Sequence, residues 1–421
     1  MRLPIRTAIV ITMLVTVSPV ALPEVASTRH NLSVSGPGAV KASTENEICV
    51  FCHTPHNAST AAQLWNRSAS TATYVPYSSS TAKASPGQPT GSSILCLSCH
   101  DGTVALGNVL SRTTPIAMAG GLTTMPSGAG LIGTNLTHDH PFSFPYTSTL
   151  ASQQGELADP ASLRSEVRLD ASGQLQCSTC HDPHDDRNGK FLVLANQGSA
   201  LCTTCHTKAS WSQSAHATST ATWNGQAPDP WPTSGLTTVA ANACGNCHLS
   251  HAATGGPRLL PYATEEANCS SCHNAKVATQ DVMAAFSSTS SHPIGSTTGV
   301  HDPAEQSLVT SRHVECADCH EPHSARANAD AAQGALRNVR GINLAGAAIE
   351  PITRTHELCF RCHSDSPGLP APRTARQIAQ SNTRLEFQLG NPSFHPVGGA
   401  GRNADVPSLI APWTTTSTMD C

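Results

Sequence analysis

The chain has little of what ordinary cores and charged surfaces are made from. Only 4% of its 421 residues are aromatic and 12% are charged, against 30 Gly and 30 Pro. The length alone would hold two or three conventional domains, but large side chains are too few to fill them. No block of Lys or Arg is present to grip nucleic acid, and a formal charge of −4 identifies no partner. Six methionines recur at no fixed place, which argues against methionine as a repeated ligand. Long apolar runs are missing as well. The stretch 8–17 follows Arg2 and Arg6 and precedes small residues up to Ser27, the layout of a secretory signal peptide over residues 1–27. It is too short to cross a bilayer. These features predict an exported protein with no transmembrane segment, sited in the periplasm, on the outer-membrane surface or outside the cell.

Cysteine is the exception to this poverty. Sixteen of the 17 cysteines fall in eight copies of Cys-x-x-Cys-His, and only Cys421 stands apart. A shuffled chain of this composition would contain about 0.03 copies. Two thiols two residues apart can add to the two vinyl groups on one porphyrin edge, while the adjacent histidine reaches the iron from one face. Zinc knuckles and disulfide scaffolds also use paired cysteines, but neither requires histidine directly after the second cysteine every time. The thioether cysteines are therefore Cys49, Cys52, Cys96, Cys99, Cys177, Cys180, Cys202, Cys205, Cys244, Cys247, Cys269, Cys272, Cys316, Cys319, Cys359 and Cys362. The proximal iron ligands are His53, His100, His181, His206, His248, His273, His320 and His363. Eight covalently bound haems c follow.

Haem changes how the rest of the chain reads. Residues 68–93 and 113–133 would be loop or disorder by composition. A large rigid macrocycle tied to the backbone at two points can replace the missing apolar side chains. The expected fold is mostly irregular with short α-helices and little β-structure, an elongated chain of stacked haem pairs whose core the haems themselves supply.

The motifs alternate between two kinds. The first, third, fifth and seventh extend to a second histidine three residues on, at His56 in CVFCHTPH, His184 in CSTCHDPH, His251 in CGNCHLSH and His323 in CADCHEPH. The other four are plain. Each plain motif is followed by a histidine in the next connection: His140, His216, His292 and His395, three of them before proline. The starts Cys177 and Cys202 lie 25 residues apart, as do Cys244 and Cys269, so the chain is an internal repeat of motif pairs. The repeat divides it into pair modules at 28–165, 166–235, 236–305 and 306–415, with 416–421 opening a further motif. Eight proximal histidines and eight recurring candidates supply two ligands for each iron. His30, His138, His301, His313 and His356 are left over. His216 departs from its set by lacking the proline, and His138 competes with His140. If the residues after a proximal histidine continue a helical turn, the second histidine lies about 5–6 Å along it. That placement predicts ligation of the partner haem within the same pair.

CVFCHTPHNA, DHPFSFPY, SHPIGSTTGVHDP, HVECADCHEPH, ELCFRCHSD and SFHPVG resemble the multihaem c-type cytochromes with doubled Cys-x-x-Cys-His motifs, among them the secreted and outer-membrane cytochromes of metal-reducing bacteria. The resemblance runs from about His30 to the end. It implies sparse secondary structure, bis-histidine haems and electron movement across or outside the cell envelope, with redox proteins, other cytochromes or extracellular metal oxides as partners, and in some relatives assembly into homopolymeric filaments. Cys421 falls where a ninth extended motif would begin, the alternative being a free or disulfide-forming thiol. A ninth site needs a ninth distal ligand, and His30 completes that number. The expected function is an electron carrier rather than an enzyme. Its rivals are a multihaem reductase of nitrite, hydroxylamine or a sulfur oxyanion with one open iron, and a protomer of a conductive filament.

Overall fold

The computed structural model describes residues 25–128, 130–295, 301–308, 313–328, 330–367, 374–378 and 380–419. The expected signal peptide before Val25 and the expected ninth motif at Cys421 lie outside them. Irregular backbone dominates. Among the described residues the longest helices are Gly91–His100 and Thr355–His363, of 10 and 9 residues. The β-structure consists of two antiparallel two-residue ladders, Phe144–Pro145 with Gln174–Leu175 and Gly341–Ile342 with Ala348–Ile349, and isolated bridges. No helix of the described residues is long and apolar enough to cross a membrane.

The two kinds of motif adopt two conformations. Each plain motif ends a helix begun upstream: Gly91–His100, Ala200–Cys205, Glu265–Ser270 and Thr355–His363. Each extended motif is a single turn of its own, as in Cys49–Phe51, Cys177–Cys180, Ala243–Asn246 and Cys316–Cys319. A cause is visible in the sequence. In CHTPH, CHDPH and CHEPH a proline stands two residues after the proximal histidine, and the residue before a proline is driven from helical to extended backbone. That restraint falls on Asp182 and Glu321; His181 and His320, one position earlier, are themselves already extended at φ −124°, ψ 136° and φ −129°, ψ 136°.

Side chains contribute more core in the first third of the molecule than composition suggested. Tyr74, Leu97, Leu136, Phe142, Phe144, Tyr146, Leu150 and Leu175 form one buried cluster, and Leu32, Ala42, Val50, Phe51, Leu106 and Met118 a second. Tyr74 and Met118 come from the two stretches that composition assigns to loop or disorder. Both stretches are loops, but they are packed ones. The second cluster sits beside Arg67, which is fully buried. Its guanidinium donates to Leu106 O at 2.7 Å and to Ser98 O and Ala105 O at 3.0 Å, tying the Gly91–His100 helix to the loop behind it. Farther along, the side-chain clusters shrink to Trp231, Val239 and Val277, and to Ala332, Val339 and Ile352.

Candidate functional site: a row of facing histidines

The proximal histidines meet other imidazoles at one recurring distance. Ring centroids lie 6.2 Å apart for His30 and His100, 6.0 Å for His53 and His184, 6.1 Å for His140 and His206, and 6.2 Å for His181 and His251. The spacing recurs at 6.1 Å for His216 and His273, and at 6.3 Å both for His248 and His323 and for His292 and His363. Two metal–imidazole bonds of about 2.0–2.1 Å, plus about 1.1 Å from nitrogen to centroid on each side, span roughly 6.3 Å. Seven histidine pairs are thus set for an iron between them.

Hydrogen bonds hold many of these rings in one tautomer. The Nδ1 atoms of His30, His100, His140, His181, His216 and His248 contact the main-chain oxygens of Pro183, Gly130, Pro141, Lys190, Pro322 and Arg258 at 2.5 to 3.0 Å. His320 Nδ1 meets Ala335 O at 2.9 Å. An Nδ1–H that donates to a carbonyl leaves the Nε2 lone pair for metal, and such outer contacts fix ring orientation and basicity. Burial also favours the neutral ligand form. It pushes His206 and His248 down to about 4, and lowers His100, His140, His181, His273 and His363 as well.

The pairing follows a rule that sequence reasoning did not reach. A second histidine of an extended motif faces the proximal histidine of the previous extended motif, and not the partner haem of its own pair: His184 faces His53, His251 faces His181, His323 faces His248. The helical continuation assumed for that prediction is absent, because the backbone leaves the turn extended. Each histidine of a connection faces the plain motif of the pair that follows it, so His30 serves His100 and His140 serves His206. His216, the odd member of its set, occupies the regular place opposite His273. His138 faces no proximal ring; its main-chain oxygen accepts from Ala253 N at 2.9 Å. Among the described residues His56, His320 and His395 have no imidazole opposite them at this spacing.

The cysteines are equally regular, and none of the sixteen described is in a disulfide. Within a pair the second cysteines lie near each other. Burial, with the neighbouring Cys99, Cys205, Cys272 and Cys362 thiols adding to it, pushes Cys52, Cys180, Cys247 and Cys319 up to about 12. Between pairs the first cysteines meet instead, the Cys177, Cys244 and Cys316 thiols raising Cys96, Cys202 and Cys269. First cysteines thus meet between pairs, while second cysteines within a pair are close enough to feel each other's charge. A buried clasp locks the first-to-first junctions. Cys177 N donates to Ser93 Oγ at 3.0 Å, and Cys244 N to Ser199 Oγ at 2.9 Å. At the third junction Glu265 takes this part, accepting from Ala317 N. Sequence analysis missed these residues, although a polar residue three or four positions before the plain motif is a signal that could have found them.

Among the described residues, the group of His, Cys, Asp and Glu compact enough for a metal ion contains no motif cysteine or proximal histidine. The chain also matches the doubled CXXCH motif family over residues 171–210 and 237–278. The eight motifs and this match support a multihaem c-type cytochrome. Over 205 residues the chain is 25% identical to the multiheme cytochrome MtrA of Shewanella baltica strain OS185, an alignment covering 46% of this chain and 44% of that one. The chain therefore matches less than half the length of this relative.

Proposed function

We propose that this cytochrome is an electron carrier in which eight covalent haems c form one uninterrupted row, acting in the periplasm or outside the cell between redox partner proteins. Haem c supplies reversible one-electron chemistry at iron, with a potential tuned by its axial ligands and surroundings. The observation that carries the reading is the set of seven facing histidine pairs at one recurring spacing. The protein's residues have three tasks here. The cysteines would tether the haems, the paired imidazoles would hold the irons from either side, and the Nδ1 contacts keep those imidazoles neutral and oriented. Filled axial positions favour electron transfer over substrate chemistry. Residues carried into this proposal are the sixteen cysteines, the eight proximal histidines and the distal ligands His30, His140, His184, His216, His251, His292 and His323. By the same rule His56 and His395 are ligands toward sites outside the seven pairs.

Native mass spectrometry combined with low-temperature magnetic spectroscopy of the oxidised protein tests this. Eight haems, with at least seven low spin, are expected. Two or fewer haems would sink the proposal, and so would a predominantly high-spin spectrum.

A further inference from the structure

His301 and His313 belong to neither histidine set, yet they converge. His301 Nδ1 is 3.2 Å from Asp318 Oδ1 and 3.7 Å from Glu305 Oε2. His313 Nε2 is 3.3 Å from Glu305 Oε2 and 3.5 Å from Asp318 Oδ1. All four donor atoms lie within 4.8 Å of one another. Asp318 is only 5% exposed. Its Oδ1, Glu305 Oε2 and His301 Nδ1 are all buried, and none has an aligned hydrogen-bond partner among the described residues. Arg361 is close, but its Nη2 stays 3.7 and 3.8 Å from the two carboxylates, while its Nη1 and Nε bond to the main-chain oxygens of Asp318 and Ser307. Three buried polar atoms therefore converge on one another with no aligned hydrogen bond among the described residues.

We propose that His301, Glu305, His313 and Asp318 bind one zinc(II) ion in a closed, structural site separate from the haems. Tetrahedral zinc with bonds of about 2.0–2.2 Å sets its ligands roughly 3.4 Å apart, and the four cross distances of 3.2 to 3.7 Å bracket that edge. Two carboxylates balance the charge of the ion. Two imidazoles select against calcium and magnesium, which take oxygen ligands. The ion would pin the segment carrying His301 and Glu305 to the Cys316–Cys319 turn, in which Asp318 lies, and Arg361 extends the junction to the Thr355–His363 helix. The site thus fixes the seventh motif against the eighth from outside the haem row.

The test uses the full haem-loaded protein, stripped with a chelator and given zinc alone. Elemental analysis should find one zinc per chain, and zinc K-edge absorption should show two nitrogen and two oxygen neighbours at about 2.0–2.2 Å. His301→Ala and Glu305→Gln should each lower zinc affinity at least about tenfold while the haem count stays unchanged. Should His301→Ala fail to accumulate, Glu305→Gln carries the same readout. Substoichiometric zinc in the unaltered protein overturns the proposal. Sulfur neighbours at about 2.3 Å do so too, as does full zinc retention by a variant.

Discussion

The extended-motif and plain-motif halves of each pair make the same kind of histidine couple by different routes. In the extended halves the two rings are near parallel, at 17° for His53 and His184, 34° for His181 and His251 and 10° for His248 and His323. In the plain halves they are more crossed, at 67°, 82° and 85°, with His292 and His363 intermediate at 50°. The origin of the facing rings differs too. The first set joins two segments of one type, the extended motifs, whereas the second joins a plain motif to a loop histidine, of which His30, His140 and His216 are held by Nδ1 contacts. Along the chain the two ring arrangements alternate, so irons held between these pairs would be in different ligand fields although each ligand would be histidine.

Several experiments can break or sharpen that contrast. The largest effect comes from removing a facing histidine. His323→Ala and His216→Ala should each convert one low-spin haem to a high-spin form that binds carbon monoxide, whereas His56→Ala should leave the spin state of all eight unchanged. Equal effects from His56 and His323 would defeat the cross-pair rule. A subtler readout is paramagnetic resonance, in which parallel and perpendicular bis-imidazole irons give distinct signals. His323→Ala should deplete the near-parallel class, and His216→Ala the crossed class.

Two stability changes probe what surrounds the row. Arg67→Ala leaves the carbonyls of Ser98, Ala105 and Leu106 without their buried donor and opens a cavity, at a cost of about 3 kcal/mol in a denaturant titration. Ser199→Ala removes one buried hydroxyl that accepts from Cys244 N, and should cost about 1 kcal/mol. A cost equal to that of Arg67→Ala would mean that the junction clasps, rather than side-chain packing, hold the fold.

The sequence showed the covalent sites plainly because their chemistry dictates adjacent residue types. Distal candidates were visible only as recurrences. Their partners were hidden, since the choice between His206 and His53 as the mate of His184 depends on whether the backbone after His181 curls or runs straight. The proline in CHDPH carried that information, and a helical assumption overrode it. The sparse secondary structure was legible from Gly, Pro and Ser content, whereas the packing of Tyr74 and Met118 was not, because one large residue in a polar stretch carries no periodic signal. Ser93 and Ser199 were lost among many other serines. Their meaning lies in contacts 84 and 45 residues away.

The loop histidines also touch the tails of the following pair. His30 Nδ1 meets Pro183 O, His140 N donates to Ser250 O, and His216 Nδ1 meets Pro322 O, at 2.8 to 2.9 Å. Pro183, Ser250 and Pro322 each directly precede the second histidine of their motifs, at His184, His251 and His323. Every boundary between pairs is therefore crossed twice, like masonry laid in running bond, where no vertical joint continues from one course to the next. A row of beads can shed its last bead; an overlapped wall cannot lose one course without loosening those above and below. Neighbouring pairs should accordingly melt together, and a chain cut between two of them would leave a frayed course on both sides.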